Sequence, residues 1–448
     1  MGKQWSLPAV VLVIGAGPAG IFAAQELVKQ GIEVILLNRD IRPGGLAEYG
    51  IYYNKHNIKS ALRAQFHKIL QQPGITYYGN VSVGEDGDLT LSRLGEMGFG
   101  AIIVAVGAQG TKWLGLPGEQ LQGVYQAKDI IYHYNGLPPF SQREYAIGKR
   151  VALIGVGNVM ADVAHWLVRD LEVEEVIAVA RRGPAEVKFT PLEFAYVAAN
   201  LDVPALKAEA ERIRERMEAV GQDPEAATAP ILAAVSRAVE ATSDTRLRFR
   251  FLASPCRIRG DPPGRVAGLE IEDTALGLTE TGGTRATRLG TTEILDVDTV
   301  IYCIGDRVSE GFGLPVARFS FAKWSEPRYP VDGISFEAYD PEADVPIKGV
   351  FIVGWARAAS RGQVGLARKD ARNCVKAVMA YLSDAGDPAS PDAVRQALQA
   401  ALHLLKKPVV TKALALRLSE IEAAEAARRG EPGFRFSTNA DMLAALGL

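Results

Sequence analysis

Apolar residues fall along this chain in short unbroken runs, separated by glycine-rich breaks and by amphipathic stretches. Val10–Ile14 is the first run, and an apolar stretch of that length predicts a strand buried on both faces. Beyond it Ile21, Ala24, Leu27 and Val28 recur at helical spacing. Gly31 ends that helix, and Val34–Leu37 predicts a second strand. The same order returns later: Arg150–Ile154 is a buried strand, a helical stretch follows, and Val176–Ala180 is the next strand. Runs at Ile75–Val83, Ala101–Val106, Asp298–Ile304 and Val350–Val353 add strands. Ile58–Leu70 and Val364–Leu382 read as amphipathic helices, and the chain ends in a charged helical stretch. Strands alternating with helices in this way predict an α/β protein with parallel sheets.

The breaks carry the chemistry. Gly15-Ala16-Gly17-Pro18-Ala19-Gly20 is a complete G-x-G-x-x-G between a strand and a helix. Gly15 allows the tight turn, Gly17 lets a pyrophosphate approach the backbone, and Gly20 lets helix and strand pack closely. The pyrophosphate would sit on unpaired N–H groups at the positive end of the helix dipole. The second strand ends in Asn38, Arg39 and Asp40, where an acid usually binds the ribose; Asn38 is expected to reach the ribose through its amide. The second turn reads Gly155-Val156-Gly157-Asn158-Val159-Met160, and the strand after it ends in Arg181-Arg182-Gly183. Arginine at that tip accommodates the 2′-phosphate of NADP. Met160, larger than the usual Gly or Ala, is expected to hold its helix further from the strand.

Composition narrows the classes. At 448 residues the chain predicts two or three domains with ample core. A net charge of −2 gives no global pull toward nucleic acid or an anionic membrane. The start MGKQWSLPA leads straight into the first strand, and no long apolar segment is visible, so a cytoplasmic location without a membrane span is expected. Cys256, Cys303 and Cys374 are far apart, which predicts buried thiols and neither a redox disulfide nor a metal site.

Charged segments are further candidates for binding surfaces. Arg212 and Arg216 share one face of the helix predicted over Ala205–Val220, with Arg214 elsewhere, and interleaved glutamates predict a solvated face. Arg246, Arg248 and Arg250 alternate along a strand and so share a face. The loop 42–51 brings Gly44, Gly45 and Leu46 where backbone can lie close to a ligand. Lys55, His56 and Lys59 follow it; His56 could relay protons or stand solvated.

Taken jointly, these motifs resemble adrenodoxin reductase and its bacterial relatives, the ferredoxin–NADP reductases of the glutathione-reductase-like superfamily. The resemblance runs through Gly15–Gly20, Pro43-x-Gly45-Leu46, Tyr78–Gly84, Val106-Gly107-Ala108, Leu116–Glu119, Tyr134–Pro138 and Gly155–Val159. It continues with Arg181–Pro184, Phe189-Thr190, Glu193, Gly354-Trp355, Gly362 and the C-terminal residues Glu425–Gly430, Arg435 and Met442-Leu443. It implies two Rossmann-like dinucleotide-binding domains, the NADP domain (109–330) inserted in a discontinuous FAD domain (1–108 and 331–448) that carries a helical C-terminal extension. FAD contacts are then expected at Gly15, Gly17, Pro18, Ala19, Gly20, Asn38, Arg39, Gly45, Leu46, Val83, Gly107, Gly354, Trp355, Gly362, Gln363 and Val364. NADP(H) contacts are expected at Val156, Gly157, Asn158, Val159, Arg181, Arg182, Glu193 and Gly362. No covalent catalytic residue is implied; His56 and Trp355 are the candidates for a proton or positioning role.

The implied activity is hydride transfer between NADPH and FAD, with single electrons exchanged with a ferredoxin-type iron–sulfur protein. Departures from the family pattern stand out, among them Tyr53-Asn54-Lys55-His56 in place of its Pro-Asp-His-Pro. Asn38 replaces the family's ribose-binding Glu, His165 replaces an Arg of the second motif, and the loop Ala356–Gly362 replaces Lys-Arg-Gly-Pro-Thr-Gly. The family's arginine-rich docking helix is reduced to Arg237, so docking by charge would use Arg246, Arg248 and Arg250, or Lys55 and Lys59. Two alternatives follow: direct NADPH-driven reduction of a small quinone or enone, or an electron-input subunit of a larger complex like the small subunit of glutamate synthase.

Overall fold

Val10–Ile14 forms the strand that its apolar run predicts, with every residue buried. Burial on both faces follows from its place: it lies at the centre of a seven-stranded sheet. The computed structural model describes residues 9–261, 264–360, 362, 364–386 and 388–448. They divide into two units. The first is discontinuous and holds 9–111, 132–142 and the described part of 306–448; the second holds 112–131 and the described part of 143–305.

In the first unit the sheet order is Glu337–Asp340, Val345–Ile352, Ala101–Val104, Val10–Ile14, Glu33–Leu37, Ile75–Gly79, Val410–Thr411. The five inner strands are parallel and the two outer ones antiparallel. Val11 and Val13 face the core under the helices Pro18–Lys29 and Val364–Asp384, where Ile21, Phe22, Leu27, Cys374 and Val378 pack. Val10, Leu12 and Ile14 face the other core, which takes Val394, Leu398 and Leu402 from the helix Pro391–His403. The helix Lys412–Arg429 and the short helix Asn439–Leu446 complete the C-terminal part.

In the second unit five parallel strands run Val124–Gln126, Thr299–Tyr302, Arg150–Ile154, Glu175–Val179, Arg246–Arg250. A three-stranded antiparallel sheet, Ala253–Asp261, Arg265–Leu278 and Thr284–Leu295, adds to it. The apolar pattern of the sequence did not signal this sheet. The helix predicted over 205–220 spans Val203–Glu218. It is not solvated all round: Leu206, Ala210, Ile213 and Met217 are buried. Arg212 and Arg216 do share a face, but that face meets Asp273 of the antiparallel sheet, at 3.3 and 3.5 Å.

Among the described residues no helix is long and apolar enough to cross a membrane, and no cluster of His, Cys, Asp and Glu could hold a metal. Cys303 and Cys374 are buried and Cys256 is half-buried, each a free thiol.

Candidate functional site

The two glycine turns are built alike. Gly15 takes φ +105°, and a Cβ there would stand 2.5 Å from the carbonyl oxygen of Ala105, at the end of a neighbouring strand. Gly155 takes φ +115°, and its Cβ would stand 2.6 Å from the carbonyl oxygen of Cys303, again at the end of a neighbouring strand. Each turn is fastened the same way: Gly15 N–H donates to Leu37 O at 2.7 Å and Gly155 N–H to Val179 O at 2.9 Å. No side chain but hydrogen is compatible with that pair of constraints.

Gly17 and Gly157 are different. A Cβ on Gly17 would meet nothing closer than 4.0 Å, and one on Gly157 nothing within 4 Å. Each is the residue before a helix, Pro18–Lys29 and Asn158–Arg169, and neither helix start has a side-chain cap or an acid in its first turn. Open space over a bare glycine, facing uncapped N–H groups, fits a dinucleotide pyrophosphate. At the third position Gly20 is pressed so closely that a Cβ would lie 1.9 Å from Gly15 O, whereas the second turn accepts Met160, fully buried.

Around the first turn the structure gathers several of the expected flavin residues. Gly45, at φ +50°, would place a Cβ 2.8 Å from Gly17 Cα, and Leu46 opens the short helix Leu46–Tyr49 just after it. Gly354, at φ +67°, would place its Cβ 2.7 Å from the Ala19 Cβ. Its N–H donates to Asp370 Oδ2 at 2.7 Å, and the same carboxylate takes the Arg357 guanidinium at 2.5 Å. The Trp355 indole donates to Gly362 O at 3.2 Å, closing the loop that leads to Val364 and its helix. Arg39 is exposed at the strand tip and reaches Gln109, two positions past Gly107, at 3.4 Å. Val83 packs with the core on the far side of the sheet. Gln363 and Arg361 lie outside the described residues.

Asn38 does not present an open amide. It is 6% exposed, and its Oδ1 accepts the Ala16 N–H at 3.0 Å. Its Nδ2 donates to Asp40 O at 2.8 Å and to Arg42 O at 3.0 Å. Arg42 in turn is buried against Tyr49, Glu422 and Phe436 O. The sequence offered no signal for these partners.

At the second turn Asn158 Oδ1 accepts the Thr190 N–H at 2.8 Å, and Thr190 caps the helix Pro191–Phe194 that carries Glu193. Lys188 N–H donates to Val156 O at 2.9 Å, so this segment lies along Val156–Val159. Arg181 and Arg182 follow the strand Glu175–Val179, and neither guanidinium has a carboxylate partner among the described residues. Arg181 lines a cavity of about 240 Å³ together with Leu114, Leu116, Pro255 and Arg288. Arg288 lies in the antiparallel sheet that the sequence pattern did not reveal.

The basic groups suggested for docking are already engaged. Arg246 and Arg248 both bind Glu175, at 2.8 and 2.9 Å, and Arg250 makes a two-pronged bond to Glu293. Lys59 is buried, donating to Asn135 Oδ1 at 2.6 Å. Its desolvation, only partly offset by Glu48, pulls the ammonium down to about 8. Arg250 and Lys59 are buried and act as internal struts, whereas Arg246 is exposed and Arg248 half-buried while both pair with the buried Glu175. His56 opens the helix His56–Leu70; partial burial, then Lys59 and Arg63, hold its imidazole below the ordinary value.

Residues 9–318 match the family described as pyridine nucleotide-disulphide oxidoreductase. The chain is 29% identical to the NADPH-ferredoxin reductase FprA of Mycobacterium leprae, over 84% of this chain and 85% of that protein. It is 27% identical to the mitochondrial NADPH:adrenodoxin oxidoreductase of Arabidopsis thaliana, over 98% and 96%. Its fold is similar to that of Mycobacterium tuberculosis FprA solved in complex with NADPH, with TM-score 0.83 and 28% identity, covering 98% of this chain and all of that one.

Proposed function

This chain belongs to the pyridine nucleotide-disulphide oxidoreductase family, and on that premise we propose that it is a FAD-containing ferredoxin–NADP(+) reductase. The observation that carries the reading is the duplicated glycine turn with unlike strand tips. Both turns suit a pyrophosphate, but only the second ends in two arginines with no carboxylate partner among the described residues. Its relatives by sequence and fold are NADPH-ferredoxin and adrenodoxin reductases.

On this reading Gly15, Gly17, Pro18, Ala19 and Gly20 hold FAD, with Arg39, Gly45, Leu46, Gly107, Gly354, Trp355, Gly362 and Val364 around it. Val156–Val159, Arg181, Arg182 and Glu193 hold NADP(H). Bound there, the cofactors supply the redox chemistry, a hydride exchanged between nicotinamide and flavin and single electrons exchanged with a ferredoxin-type protein. The chain supplies position and electrostatics. Helix starts complement pyrophosphate charge, and Asp370 fixes the Gly354–Arg357 turn from both ends. Cys303 and Cys374 take no part: burial pushes their thiols up and keeps them protonated. A cytoplasmic location fits this role, with electrons passing from NADPH to ferredoxin or the reverse.

Steady-state cytochrome c reduction tests the proposal. Added ferredoxin should accelerate NADPH-driven reduction; no acceleration would remove the electron-transfer role. One observation favours a second reading, direct reduction of a quinone or enone: Arg246, Arg248 and Arg250 are each already paired with a carboxylate of this chain, Glu175 or Glu293. NADPH oxidation by quinones at full rate without any protein partner would select it.

A further inference from the structure

We propose that Asn38 is a positioning residue that shapes the flavin turn from within and makes no bond to the ribose. The position is the tip of the second strand, where an acid normally accepts from ribose hydroxyls. Here the side chain points into the protein. Its oxygen takes the N–H of Ala16, inside the G-x-G-x-x-G, at 3.0 Å. Its NH₂ group serves two backbone carbonyls, Asp40 O at 2.8 Å and Arg42 O at 3.0 Å, and lies 3.3 Å from the Tyr77 hydroxyl. Both amide hydrogens are therefore committed.

This wiring requires an amide. A carboxylate could still accept from Ala16, but it would turn lone pairs toward the carbonyls of Asp40 and Arg42 with no proton to offer them. The strut also explains how the turn keeps its shape. Ala16 is held on both sides, by Asn38 at its N–H and by the Gly44 N–H at its carbonyl, 2.7 Å away. Arg42, which accepts from Asn38, is itself clamped by Glu422 of the helix Lys412–Arg429. One hydrogen-bonded path thus joins the first glycine turn to the C-terminal helix. The polar side chain left exposed at the strand tip is Arg39.

The inference rests on the flavin reading of this turn, and the test separates the two. Asn38→Asp and Asn38→Glu restore the usual acid. Were Asn38 a weak ribose ligand, they would tighten FAD. The strut predicts the reverse: FAD dissociation constants raised about tenfold or more, and a lower thermal midpoint in the flavin-free chain as well. Unchanged or tighter FAD binding with an unchanged midpoint would overturn it. If the variants do not fold, hydrogen exchange at the Ala16 amide of the wild-type chain decides. Protection with and without FAD supports the strut; protection only with FAD overturns it. A wild-type chain that binds no flavin at all would instead end the flavin reading.

Discussion

Arg42 Nε donates to Glu422 Oε2 at 3.1 Å, joining the loop before Gly44-Gly45 to the C-terminal helix across 380 positions of chain. Both side chains are almost fully buried. The same carboxylate accepts the Phe436 N–H at 3.1 Å, so it organises the chain end as well.

Glu422→Ala leaves the Arg42 guanidinium buried without its anion, which costs about 3–5 kcal/mol. The expected outcome is a large drop in thermal midpoint and faster loss of FAD on dilution, because Arg42 O also anchors Asn38. A calorimetric scan of the holoprotein with and without added FAD measures both. A midpoint unmoved by the substitution would show the pair to be incidental.

Glu48 gives a pH dependence. Burial alone would raise its carboxyl, but two bonds of 2.6 Å from Arg63, then the charges of Arg435 and Lys59, outweigh it and hold the group at about 2. A carboxyl lowered on folding contributes stability that is complete above its unfolded value near 4.5 and is lost as pH falls toward about 2. Urea midpoints measured across that window should therefore fall more steeply for wild type than for Glu48→Gln. Parallel slopes would contradict the ion pair.

The two turns should fail separately. Gly15→Ala puts a methyl 2.5 Å from Ala105 O and should give a chain that retains no flavin. Gly155→Ala puts one 2.6 Å from Cys303 O and should leave a flavoprotein of normal colour that NADPH no longer reduces. Flavin content and NADPH-dependent bleaching read out the two effects. The opposite pattern would exchange the cofactor assignments.

Arg181→Ala should raise the KM for NADPH far more than for NADH, by the equivalent of ~1–3 kcal/mol of charge-assisted bonding. Equal changes for both nucleotides would dismiss the 2′-phosphate contact. Arg288→Ala, which removes the other arginine lining that cavity, is expected to act in the same direction with a smaller effect, since Arg288 is shared with Glu272 at 3.4 Å.

The parallel sheets were legible because strands buried on both faces must be apolar throughout. Val10–Ile14 coincides with its apolar run, and Arg150–Ile154 adds only the half-buried Arg150 to the run Val151–Ile154. The glycine turns were legible because Gly15 and Gly155 have no allowed substitute. The antiparallel sheet was not: Thr284–Leu295 is exposed along most of its length, so nothing forces an apolar alternation on it. Lys59 read as surface charge because its partner, Asn135, lies 76 positions away. Asn38 read as a ribose ligand for a similar reason, since residue type at a strand tip does not reveal which way an amide turns.

An anaerobic titration of the purified yellow protein with NADPH, followed by one addition of oxidised ferredoxin, tests the central claim most directly. The account predicts that NADPH bleaches the flavin band and that ferredoxin restores it while itself becoming reduced. A flavin band that NADPH leaves intact, or one that ferredoxin fails to restore after bleaching, would contradict it.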